Sequence, residues 1–201
     1  MTAAALPAAS GIVLAGGRSE RFGRDKLAES IDGRPLLHHA VEAVAAVATD
    51  VIVVAPPDVD PPVPDGVRLV HDEAAYEGPL AGCMTGLIAA REPLVVVAGG
   101  DMPSLDPAVL AVLIRALVAS SADAVLLEHR GRRQQLPFAM RTGAGTDTAQ
   151  RLLAQGERRL GALTDRLTVR VLAEDEWRPL DPDARTLRDV DEPADLPGSG
   201  T

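Results

Sequence analysis

The stretch GIVLAGGRSERFGRDK, residues 11–26, joins an apolar run to a glycine-rich loop carrying Arg18, Arg21, Arg24 and Lys26. Its first part, GIVLAG, is continuously apolar and stopped by glycine, which predicts a short strand buried on both faces. Its second part gathers positive charge in a chain whose formal net charge is −9. A buried first strand feeding such a loop is the opening of an α/β fold, where ligands bind outside the carboxyl ends of parallel strands.

Outward from that stretch the pattern alternates. Pro35 is placed to start a helix whose face carries Leu36, Leu37, Ala40, Val41, Val44, Val47 and Ala48. DVIVVA (50–55) and VRLVHD (67–72) read as strands, separated by the proline-rich surface connection 56–66. GPLAGCMTGLIAARE (78–92) reads as a glycine turn and helix, and PLVVVAGGD (93–101) as the most apolar strand. A helix over 106–120, a strand over 122–128 and an extended return strand over 132–142 follow. Residues 146–155 and 157–166 read as helices around Gly156, 167–173 as a strand, and 186–198 as an extended piece with a proline-led final turn. This alternation predicts a single α/β domain with a mostly parallel sheet. The expected domain is 10–197, with loose tails at 1–9 and 198–201.

Composition supports that reading. Hydrophobic residues make up 46 % of the 201 and aromatics only 2 %, so the core must be built from Val, Leu, Ile and Ala. The acidic balance argues against a nucleic-acid partner or an anionic membrane surface. Cys83 is the only cysteine, which excludes an intrachain disulfide and a Cys-rich metal site. The apolar start MTAAALPAASGIVLAGG has no Lys or Arg before its apolar run, so it reads as tail and first strand rather than a secretory signal, and the expected compartment is cytoplasmic.

The opening loop predicts phosphate binding. Gly16 and Gly17 permit close backbone approach, and Arg18, Arg21 and Lys26 supply charge. It is neither a Walker A loop nor a Gly-x-Gly-x-x-Gly loop. Asp101, ending the apolar strand, is placed for Mg²⁺ or for capping a turn, and a phosphate loop nearby favours the metal. Asp72 is placed to accept from a sugar hydroxyl or base amine, to take part in metal binding, or to cap a loop. The start of the 78–92 helix offers backbone N–H groups. His38, His39, His71 and His129 form no metal set, and Cys83 reads as packing.

With these residues assembled, the chain resembles the nucleotidyltransferase family, in its molybdenum cofactor guanylyltransferase branch. LAGGRSERFGRDK (14–26) carries the resemblance, with DEAAYEGPLAG (72–82) and GGDMPSL (99–105). QLPFAM (135–140), LLAQGERRLGAL (152–163) and DVDEPADL (189–196) are weaker matches. The resemblance implies a Rossmann-like three-layer sandwich, a Mg²⁺ cofactor, and GTP and the molybdopterin cofactor as partners, with molybdoenzymes or cofactor-delivery proteins beyond them. It implies that Leu14, Ala15, Gly16 and Asp72 contact the nucleotide, that Lys26 binds its phosphates and that Asp101 holds Mg²⁺. Arg21 would assist the leaving pyrophosphate. Two departures stand out: VVAPPD (53–58) occupies a place where the family often has Asn, and Asp189 and Asp191 replace two late Asn residues. The rival expectations are transfer of CMP to the same cofactor, transfer to another phosphorylated acceptor, and a nucleotide-binding regulatory module without turnover.

Overall fold

The computed structural model describes residues 5–16, 26–73, 78–190 and 195. In chain order, β1 (Ser10–Leu14) is followed by a small hairpin, β2 (Ser30–Ile31) and β3 (Arg34–Pro35), and then α1 (Leu36–Ala45). β4 (Asp50–Ala55) and β5 (Arg68–His71) lead to α2 (Pro79–Ala89), and β6 (Leu94–Gly99) leads to α3 (Pro107–Val118). β7 (Ala124–His129) and β8 (Arg132–Arg141) form a second hairpin. After it come α4 (Thr142–Ala154), α5 (Leu160–Arg166), β9 (Val169–Leu172) and α6 (Glu174–Trp177).

Seven strands form one sheet in the order β5-β4-β1-β6-β8-β7-β9. β4 and β6 flank β1 in parallel, β5 extends the parallel block, and β9 runs parallel to β7. The predicted return strand is β8, antiparallel to both β6 and β7. The continuous apolar runs have their reason here, because both faces of the sheet are covered. Ile12, Ile52, Val95 and Val97 pack with Leu80 and Leu87 of α2 and Leu163 of α5. Their neighbours Val13, Val53, Val96 and Ala98 pack on the other face with Leu37 and Val44 of α1 and Leu110 and Leu117 of α3. Each fully buried side chain of this kind contributes about 1.5–3 kcal/mol. The result is a three-layer sandwich around the mostly parallel sheet that the alternation predicts.

Three expectations need correction. Within the tail assigned to 1–9, Ala9 is fully buried, its carbonyl accepts from Thr49 N–H at 2.9 Å, and Leu6 packs against the core. The first helix of the later part begins at Thr142, not 146, because Thr142 Oγ1 donates to the Glu92 carbonyl at 2.7 Å and fixes that start. The extended piece from 186 instead opens with a 3₁₀ turn, Arg185–Leu187, anchored by the buried Asp181. α6 was not foreseen; it buries Trp177, whose Nε1–H donates to the Glu128 carbonyl at 3.1 Å. Among the described residues no helix is long and apolar enough to cross a membrane.

Candidate active site

The strand order reverses at β1: β4 and β5 lie on one side of it and β6 on the other. A crevice forms outside the carboxyl ends of strands at such a point, the usual ligand position in open α/β sheets. Leu14 pairs with Gly99 at this edge, and the Leu14 carbonyl accepts from Gly100 N–H at 2.9 Å. Ala15 N–H donates to the Val54 carbonyl at 2.7 Å, so its backbone donor belongs to the sheet. At Gly16, a Cβ would have no atom of the described residues within 4 Å.

Lys26 opens a 3₁₀ turn, Lys26–Ala28, and reaches back to the edge. Its Nζ donates to Asp101 Oδ2 at 2.7 Å and to the Val190 carbonyl at 3.0 Å. The two side chains are 15 % and 27 % exposed, so the pair is shielded yet reachable from solvent. Charge-assisted bonds of this length are among the strong ones in proteins. Asp101 is lodged here because β6 ends at Gly99 and a second glycine, Gly100, follows it. A Cβ on Gly99 would stand 2.5 Å from Asp101 Oδ1, so only glycine leaves the carboxylate its position.

Asp101 suits a hard cation. Among the described residues no three His, Cys, Asp or Glu side chains converge as a metal group. A single carboxylate fits a magnesium-type ion, which keeps several waters and takes substrate phosphates as further ligands.

Asp72 leaves β5 with its N–H donating to the Ala55 carbonyl at 2.9 Å. Its carboxylate faces α2, with Oδ2 3.5 Å from where a Cβ on Gly82 would be. The start of α2 is partly committed within the protein. Leu80 N–H donates to the Arg158 carbonyl at 3.2 Å, which removes one donor the sequence reading had offered to a ligand. Gly78 makes that approach possible: its φ is +92°, and a Cβ there would lie 2.9 Å from the Arg158 carbonyl oxygen.

Beside this junction lies a cavity of about 520 Å³, lined among others by Pro79, Arg133, Gln135, Arg158, Arg159 and Asp165. Glu157 organises its rim. Its carboxylate accepts from the Arg159 guanidinium at 2.8 Å and from the Arg158 and Arg159 backbone N–H groups, each at 2.9 Å. These bonds, the guanidinium's first, lower its carboxyl to about 2.

The structure therefore brings together Leu14, Ala15, Gly16, Lys26 and Asp101, with Asp72 across the same edge just after β5. Gly17, Arg18, Arg21 and Arg24 lie outside the described residues. The histidines stay apart: His39 meets the Ile31 carbonyl, His71 pairs with Asp60, and His129 packs edge-on against Trp177. Cys83 is fully buried, and burial pushes its thiol up to about 12. Val190, which shares Lys26 with Asp101, was missed, as was the arginine cavity. The adjacent arginines in GERRLG, just before a helix, were the available signal for the cavity.

Comparison with known proteins agrees with this geometry. Residues 11–171 match the model of the MobA-like NTP transferase domain. The molybdenum cofactor guanylyltransferase of Burkholderia vietnamiensis is 37 % identical over 81 % of this chain and 84 % of its own. The probable molybdenum cofactor guanylyltransferase of Chloroflexus aggregans is 36 % identical over 93 % of this chain and 91 % of its own. The structure of molybdopterin-guanine dinucleotide biosynthesis protein A from Archaeoglobus fulgidus superposes with a TM-score of 0.77 at 22 % identity, covering 93 % of this chain and 94 % of that one. A 2-C-methyl-D-erythritol 4-phosphate cytidylyltransferase from Thermus thermophilus shares the fold at a TM-score of 0.69 and 18 % identity, covering 92 % and 94 %. With a nucleotidyltransferase sheet, a lysine–aspartate pair at its reversal point and relatives matched over most of their length, this chain belongs to the family of MobA-like NTP transferase domains.

Proposed function

We propose that the protein transfers GMP from GTP to the phosphate of the molybdopterin cofactor. An oxygen of the acceptor phosphate attacks the α-phosphorus of GTP, the bond between the α-phosphorus and its bridging oxygen breaks, and pyrophosphate leaves with that electron pair. The observation that carries this reading is the meeting of Lys26 and Asp101 at 2.7 Å on the sheet's carboxyl edge. It supports the reading by putting one cationic and one anionic group at the edge where open α/β sheets bind their ligands.

Lys26 holds the outer phosphates and stabilises the charge that gathers on the leaving pyrophosphate. Arg21 assists there. Asp101 holds Mg²⁺, which when bound supplies electrophilic polarisation of the phosphoryl oxygens. Leu14, Ala15 and Gly16 form the floor for the nucleotide, Gly17 is assigned to nucleotide binding with them, and Asp72 accepts from its sugar or base. The arginine-lined cavity beyond Gly78 takes the anionic acceptor, since Arg133 and Arg158 are both at its lining. Bringing the two substrates into line accounts for much of the rate in such a reaction.

The test is pyrophosphate release with each of the four nucleoside triphosphates, with and without molybdopterin and Mg²⁺. Release that requires GTP, molybdopterin and Mg²⁺ together is the expected result. Release independent of molybdopterin, or absent with every nucleotide, contradicts the reading.

A further inference from the structure

The loop carrying Asp101 is held at both ends by the segment 181–190. At one end, Val190 N–H donates to the Asp101 carbonyl at 2.9 Å, while the Val190 carbonyl accepts from Lys26 Nζ at 3.0 Å. At the other end, Asp106 N–H donates to Thr186 Oγ1 at 3.0 Å. Asp106 is also the N-cap of α3, its side chain accepting from Ala108 N–H at 2.8 Å. The segment thus ties Lys26, the metal loop and the helix behind it into one unit.

Asp181 anchors the segment. Its Oδ2 accepts from Thr186 N–H at 2.7 Å, and its carbonyl accepts from Ala184 N–H at 3.0 Å. The Asp181 side chain is 1 % exposed, and Arg185 Nε lies 3.8 Å from its Oδ1. Thr186 and Val190 are buried too. A carboxylate placed this deep is costly unless hydrogen bonds compensate, which a merely connecting turn does not call for. Ala184 adds to the cost, with a φ of +51° in the left-handed region that favours glycine.

We propose that Asp181 and Thr186 are positioning residues of the nucleotide site, holding 181–190 as a strap that fixes where Lys26 stands. The inference rests on the reading of Lys26 as the phosphate ligand. A lysine ammonium sits on a flexible four-carbon stem and needs fixed acceptors to stay in place. The Asp101 carboxylate is one acceptor, and on that reading it would turn to the bound cation. The Val190 carbonyl is another, and as backbone within the strap it keeps its place. Lys26 therefore remains at the crevice while its carboxylate partner is exchanged for a phosphate.

The test uses the full chain and three variants: Thr186→Val, which keeps the shape and removes the Oγ1 acceptor; Asp181→Ala; and Asp181→Asn, which keeps an oxygen for Thr186 N–H. Amide hydrogen exchange at Val190 is read in the nucleotide-free protein, and GTP and GMP affinities are read by calorimetry. In Thr186→Val, exchange at Val190 is expected to rise about tenfold while Ile12 and Val96 keep their protection. GTP affinity is expected to fall about three- to tenfold with GMP affinity unchanged. Asp181→Asn is expected closer to the native protein than Asp181→Ala; should Asp181→Ala not fold, Thr186→Val and Asp181→Asn carry the test. Unchanged exchange at Val190, or faster exchange with unchanged GTP affinity, overturns the proposal. Failure of the unaltered protein to bind GTP overturns the nucleotide reading itself, a result distinct from failure of the strap.

Discussion

Lys26 Nζ stands 2.7 Å from Asp101 Oδ2 although 75 residues separate the two in the chain. On the proposed reading, Asp101 would hold the divalent cation that accompanies the triphosphate, and Lys26 would stay beside it for the phosphates. Asp101→Asn removes the metal-directed charge at constant size. Turnover is expected to fall roughly a hundredfold or more, with the thermal melt shifted little. A near-normal rate at saturating Mg²⁺ would take Asp101 out of the metal site.

Lys26→Ala separates the phosphates. The side chain is assigned to the outer phosphates, which GMP lacks, and a hydrogen bond between charged groups is worth about 1.5–3 kcal/mol. GTP affinity is expected to drop about tenfold or more by that measure, with GMP affinity nearly constant. Equal losses for both nucleotides in calorimetry would remove Lys26 from the phosphate site.

Gly99→Ala tests the geometry without touching a charge. The added Cβ would lie 2.5 Å from Asp101 Oδ1, so the carboxylate must swing away. A misplacement of this order costs about ten- to a hundredfold in rate. The assay is turnover against Mg²⁺ concentration beside far-ultraviolet circular dichroism. Native activity in a folded Gly99→Ala protein would mean that Asp101's position is not critical.

Much of this was legible in the sequence. The runs VIVV (51–54) and LVVVAG (94–99) reveal buried parallel strands because a strand covered on both faces has no polar side to show. Asp101 stood out because it ends such a run, Asp72 because it follows the strand VRLVH, and Lys26 because it belongs to the basic loop after the first strand. What stayed hidden depends on distant partners. Nothing local marks Ala9 as core, since its burial comes from packing under the sheet. Thr142 starts a helix across Gly143 and Gly145 against their propensity, because Glu92 fixes its side chain. Val190 acts through its backbone, so no choice of side chain at that position announces its role.

Cys83 gives a further check on the core. Burial pushes its thiol up to about 12, and only the thiolate is nucleophilic. The group stays protonated at pH 8, far below that value. Iodoacetamide at pH 8 is expected to leave the native protein unlabelled and to modify it once urea unfolds it. Rapid labelling of the native protein, followed by mass spectrometry, would contradict the packing of Cys83 between α2 and the sheet.

Guanylyl transfer stands or falls on base choice. Guanine presents a ring N–H and an exocyclic amine, so acceptors in the proposed site, Asp72 among them, would select it. Each donor left without its partner in such a site costs about 1–3 kcal/mol, and one such loss already gives roughly tenfold discrimination. The measurement is mass analysis of the products formed from molybdopterin with equal GTP and CTP in the presence of Mg²⁺. The expected result is a pool dominated by the guanylyl adduct, one pyrophosphate released for each adduct formed. A pool dominated by the cytidylyl adduct, or no adduct at all, would contradict it.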